Sequence, residues 1–111
     1  MNKYRYNLTF DDYIDDKEGR QIQYTQLTIF DRKTNRTIRL KLPSIYNHNP
    51  RLFAIDLANS NQSIKSFAKY RQYPQSPELI SELLFLQKTQ RFMQNNNFNP
   101  SDLIADIFEV E

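Results

Sequence analysis

One glycine in 111 residues restricts this chain more than any other feature. Glycine enters positive φ freely, so glycine-rich turns and phosphate-cradling loops are closed to a chain that has only one. The chain also has no cysteine, no tryptophan and a single histidine. Disulfide frameworks and zinc fingers are excluded at once. Little remains from which catalytic or metal sites are usually built, and we expect neither an enzyme nor a bound cofactor.

The chain is nevertheless well supplied for folding. Leu, Ile, Val and Phe together number 30 of 111 residues, and seven tyrosines add further bulk. That exceeds the apolar share of disordered chains, and the length suits one domain, 1–111. Met1-Asn2-Lys3-Tyr4-Arg5 leads into no apolar segment, so no secretory signal is expected. The longest purely apolar run is Leu83-Leu84-Phe85-Leu86, far short of a membrane span. The expectation is a cytoplasmic protein with no membrane partner.

The expected fold class is α+β: an N-terminal three-stranded antiparallel β-meander packed against three or four C-terminal helices. Strict alternation in Tyr4-Arg5-Tyr6-Asn7-Leu8-Thr9-Phe10 marks a strand over about 3–10 with one buried face. The acidic stretch 11–19 reads as a loop, its Gly19 supplying a positive φ. Strands follow at about 21–30 and 37–42. Between them, Asp31-Arg32-Lys33-Thr34-Asn35-Arg36 reads as a type I turn closed by a left-handed residue, for which Asn35 is the natural occupant.

Setting Asp31 opposite Arg36 pairs Ile29 with Ile38, Leu27 with Leu40 and Thr25 with Leu42. The opposite face then pairs Phe30 with Thr37, Thr28 with Arg39 and Gln26 with Lys41. A slip of one residue would send the apolar set to solvent, so the pattern specifies the register. The first strand adds Tyr4, Tyr6, Leu8 and Phe10 to the apolar face, and Lys3 and Arg5 to the other.

Helices are expected at about 50–59, 63–72, 77–94 and 100–109. Asn49-Pro50, Ser76-Pro77 and Asn99-Pro100 each set a capping residue before a proline at the first helical position. The third helix carries Leu79, Leu83, Leu86 and Met93 on one stripe, widened by Ile80 and Leu84, and reads as the central core helix beneath the sheet. The last buries Leu103, Ile104, Ile107 and Phe108, with Asp102, Asp106 and Glu109 facing water. Residues 50–73 are ambiguous, since Leu52 to Leu57 also suits a short strand.

Several constellations invite a chemical reading and fall short of it. His48 has no nucleophile or orienting carboxylate at a recognisable spacing. Asp11, Asp12, Asp15, Asp16 and Glu18 do not follow the EF-hand pattern and read as a solvated charged turn. Asp16, Asp31 and Lys33 match the letters of a two-carboxylate nuclease site, but Asp31 and Lys33 fall on a turn.

Charge is more informative. Residues 1–18 carry a net −2, residues 19–74 a net +8 and residues 75–111 a net −4. Within the basic middle, Arg32, Lys33, Arg36, Arg39 and Lys41 crowd one hairpin. Lys65, Lys69, Tyr70 and Arg71 interleave cations with aromatic rings, as single-strand binding surfaces do. The first functional expectation is a small non-enzymatic protein that contacts nucleic acid or a nucleoprotein through these nine residues. The alternative is an inhibitor or immunity-type factor that docks on a protein partner, such as a nuclease or a defence complex.

Overall fold

The computed structural model describes residues 5–109. Three strands, β1 (Tyr6–Lys17), β2 (Arg20–Asp31) and β3 (Arg36–Leu42), form an antiparallel sheet in the order β1-β2-β3. A short 3-10 turn (Ser44–Tyr46) leads to four helices: α1 (Pro50–Ala58), α2 (Ile64–Arg71), α3 (Pro77–Asn95) and α4 (Pro100–Glu109). The α+β class and the meander are those expected; Lys3 and Tyr4 lie outside the described residues.

The β2–β3 register is the one the hydrophobic pattern requires, from Thr25↔Leu42 to Asp31↔Arg36. Asn35 closes the hairpin with φ 60°, and its N–H donates to the Asp31 carbonyl at 2.8 Å. With glycine so scarce, other left-handed positions fall to Glu18, His48, Gln72 and Asn97. Asn and His are among the side chains that tolerate that region best.

The acidic stretch is not a loop. Residues 11–17 continue β1 and pair with β2 as far as Lys17↔Arg20. The connection is two residues, Glu18 at φ 52° and Gly19 at φ 75°, as a type I′ hairpin turn demands. Because β3 ends opposite Thr25, the pairs from Tyr13↔Tyr24 outward form a two-stranded arm. Alternation was invisible there because neither face of the arm is buried. Carboxylates stand on both faces, and stacking of Tyr13 on Tyr24, centroids 5.7 Å apart, supplies local adhesion.

Under the sheet, Leu27, Ile29, Ile38, Leu40 and Leu42 join Phe53, Leu57, Phe67, Leu79, Leu83, Leu86, Met93, Leu103 and Ile107 in one core. Leu52–Leu57 is helical, since Asn49 caps the Leu52 N–H at 3.1 Å and proline sits in the first turn. The layering differs from expectation in one respect. It is α4 that lies against β1, and the 3-10 turn against β2, while α3 packs on α2, α1 and α4.

Two side chains assigned to water are instead structural. Asp106 is buried and accepts the Tyr6 N–H at 2.9 Å, tying α4 to the first paired residue of the sheet. Arg5 precedes that residue, so strand alternation does not hold it on the open face. Its guanidinium turns to the helix side, bonding both oxygens of the buried Asp31 at 3.1 and 3.0 Å. Conversely, Ile80 and Leu84, expected to widen the buried stripe, are 42% and 46% exposed.

Candidate functional site

The nine cationic and aromatic residues singled out above do not form one patch. Arg32 is half-buried and donates to Asn7 Oδ1, while Lys33 is exposed at the hairpin tip. Arg36 reaches the end of α3, where Nη1 donates to the Asn96 carbonyl at 2.8 Å and Nη2 to Asn96 Oδ1 at 3.0 Å. A cation there satisfies carbonyls that the helix leaves open, at the negative end of its dipole. Lys41 lies 3.3 Å from Asp15 and 4.1 Å from the centre of the Tyr24 ring. Lys65 and Lys69 are exposed on α2.

Tyr70 and Arg71, read from sequence as surface binding residues, are drawn into the interior instead. Asp56 is fully buried and accepts the Tyr46 hydroxyl at 2.8 Å, the Tyr70 hydroxyl at 2.9 Å and Arg71 Nη2. The Arg71 side chain is 7% exposed, with Nη1 3.6 Å from Glu82 and its guanidinium 5.1 Å from the Phe67 ring centre. A buried carboxylate must be paired, and this arginine is what α2 supplies. Burial pushes the Tyr70 hydroxyl up to about 12, helped by its bond to Asp56. Burial raises Tyr46 further still, for the same two reasons. For Arg71, burial opposes the charge, but Asp56 outweighs it and holds the guanidinium above its ordinary value.

His48 Nε2 lies 3.3 Å from Asp12, and Thr25 Oγ1 lies 3.3 Å from the same carboxylate. The hydroxyl thus meets the acid and not the imidazole, so these three groups are not arranged as a relay from nucleophile to base. Asp16 and Asp31 sit opposite Gln21 and Tyr6, ten strand residues or about 33 Å apart, too far to share a metal. Among the described residues no group of three or more His, Asp or Glu side chains could hold an ion. A cleft of about 610 Å³ is lined by polar side chains such as Asn61, Gln94 and Asn99. Its one cation, Arg5, is committed to Asp31.

What the tertiary structure does assemble lies between β3 and α3. Arg39, Leu40 and Lys41 face Phe85, Lys88, Thr89 and Phe92 across a groove of about 320 Å³. Consecutive strand residues point to opposite faces, so a groove lined by three in a row runs along the strand's edge. Beside it, Ile80, Leu84, Lys88 and Phe92 follow one another at four-residue intervals on the outward side of α3. Three of the four are apolar, each more than 40% exposed. Sequence reasoning passed over Lys88, Phe85 and Phe92. The signal was present: α3 holds more apolar residues than one buried stripe can use, and the surplus falls opposite Leu79, Leu83, Leu86 and Met93.

Among the described residues no helix is long and apolar enough to cross a membrane. Comparison with protein-family models, curated proteins and solved structures finds no significant match to this chain.

Proposed function

We propose that this chain is a small non-enzymatic binding protein that docks, as an inhibitor or adaptor, on a protein partner through the outward face of α3. The observation that carries this reading is the stripe Ile80, Leu84 and Phe92, apolar and exposed on a helix whose other side already fills the core. Exposed apolar side chains set among cations are what protein interfaces present. Lys88 stands within the strip and Arg91 beside it, so the complementary partner surface combines apolar side chains with carboxylates.

The nucleic-acid reading draws less support from the same geometry. Of its nine residues, Arg36, Tyr70 and Arg71 are engaged within the fold, and Lys41 shares its charge with Asp15. The acidic arm also stands beside the sheet's open face, where it repels phosphate.

The test is copurification from native lysate, with and without nuclease, using the wild-type chain, Leu84→Asp and Arg39→Ala/Lys88→Ala. A protein captured regardless of nuclease treatment and lost with Leu84→Asp supports the docking surface. A labelled single-stranded oligonucleotide is titrated in parallel at about 50 mM salt. Salt-sensitive binding that Leu84→Asp leaves intact and Arg39→Ala/Lys88→Ala abolishes would overturn the docking reading in favour of nucleic acid.

A further inference from the structure

The groove and the arm are chemically matched, and each is incomplete alone. β3 is an edge strand, so one row of its backbone groups has no strand partner in the sheet. Along that edge run the cations Arg39 and Lys41, with Phe85, Lys88 and Phe92 of α3 across the groove. Neither Arg39 nor Lys88 is held by a hydrogen bond or ion pair among the described residues.

At the other edge of the sheet, β1 runs out along the arm as Asp11-Asp12-Tyr13-Ile14-Asp15-Asp16. Alternation puts Asp11, Tyr13 and Asp15 on one face and Asp12, Ile14 and Asp16 on the other. Both faces therefore show the same order of acid, apolar, acid. Tyr13 and Ile14 are 41% and 60% exposed, and Ile22 behind them is 48% exposed. A two-stranded ribbon with no covering layer is marginal in water, and this one is exposed over residues 13–24 except at the partly buried Asp15 and Tyr24.

We infer that the β1 edge of the arm of one copy of this chain adds to the β3 edge of a second copy, extending its sheet. Ile14 or Tyr13 then sits between Phe85 and Phe92, and carboxylates on either side meet Arg39 and Lys88. The identical pattern on the two faces lets the arm satisfy the groove in either strand direction. The charges also select this pairing over its rivals. Two β3 edges would set Arg39 and Lys41 against their own kind, and two arms would oppose carboxylates. The contact is heterologous, joining different surfaces of the two copies, so it closes into a ring or grows with concentration. Lys41 already reaches Asp15 within one chain at 3.3 Å, so arm and groove rim attract each other in the geometry seen here. This inference shares Lys88 and Phe92 with the docking reading above but uses neither Ile80 nor Leu84, so Leu84→Asp separates the two.

The experiment is multi-angle light scattering of the full chain from about 10 µM to about 1 mM, at about 50 and about 500 mM salt. We expect a mass at or above twice the monomer at high concentration and low salt, falling toward the monomer in high salt. Arg39→Glu/Lys88→Glu and, separately, Asp11→Lys/Asp16→Lys should each return the chain to monomer. All four residues are exposed and make no hydrogen bond or ion pair among the described residues, and a circular dichroism melt checks that each variant stays folded. Mixing the two charge-reversed variants should restore part of the association, because each face of the arm then offers one lysine to the new carboxylates of the groove. A monomer at every concentration would overturn the inference. So would an oligomer indifferent to both reversals; if Leu84→Asp abolished it, the contact would lie on the Ile80 and Leu84 side of α3 instead.

Discussion

Asn35 stands where the β2–β3 turn needs a left-handed residue, and at φ 60° its replacements separate backbone from side-chain effects. Asn35→Gly should be neutral or slightly stabilising, whereas Asn35→Val should cost about 1–2 kcal/mol, because a β-branched residue resists that region. Urea melts of the two variants decide it. Asp31 nearby is buried, which alone would raise its carboxyl, but bonds from Arg5, the Lys33 N–H and Thr34 hold it below the ordinary value. Its contribution to stability is therefore present above the usual carboxylate range and is lost as pH falls through the lowered value. Tyr46 and Tyr70 act at the opposite end. Their pKa values are raised, so their contribution is whole below the ordinary tyrosine value of about 10 and declines as pH climbs toward 12 and beyond. Replacing both with Phe should flatten the alkaline limb of a stability-against-pH curve while lowering stability at neutral pH. Asp56→Ala should cost roughly 3–5 kcal/mol, because it strands the buried Arg71 charge.

Helix α3 has two apolar faces with different fates, and adjacent residues report them. Leu83 is buried, so Leu83→Ala should cost about 2–5 kcal/mol in denaturant melts. Leu84 is nearly half exposed, and Leu84→Ala should stay within about 0.5 kcal/mol of wild type. Equal losses at the two positions would mean that both faces are packed and that the docking stripe does not exist.

The molecule divides into a packed body and a projecting arm, and the two should separate experimentally. Excising residues 13–24 and joining Asp12 to Thr25 through Asn-Gly keeps the pairs that β3 and the helices cover. The shortened chain should melt within about 1 kcal/mol of the parent, since the arm is exposed except at the partly buried Asp15 and Tyr24. It should also be monomeric at every concentration, in contrast to the association expected of the parent.

Much of the body was legible in the sequence because its signals are local. The β2–β3 register follows from alternating side chains around a turn whose left-handed position Asn35 suits. The helix starts follow from Asn49, Ser76 and Asn99 standing before prolines. These features depend on neighbours within a few residues, where backbone geometry leaves little choice. The arm was misread because alternation reports burial, and 11–18 buries neither face. Tyr70, Arg71 and Asp106 were given to solvent because sequence shows that a side chain is polar, not which partner awaits it. Asp56 lies 15 residues from Arg71 and Asp106 lies 100 from Tyr6, and only the closed fold makes them neighbours. The same holds for the groove. Arg39 and Phe92 are far apart along the chain, and each alone reads as an ordinary strand or helix residue. Their meeting at one open edge was decided by how α3 settles beside β3, a choice governed by the packing of the whole core.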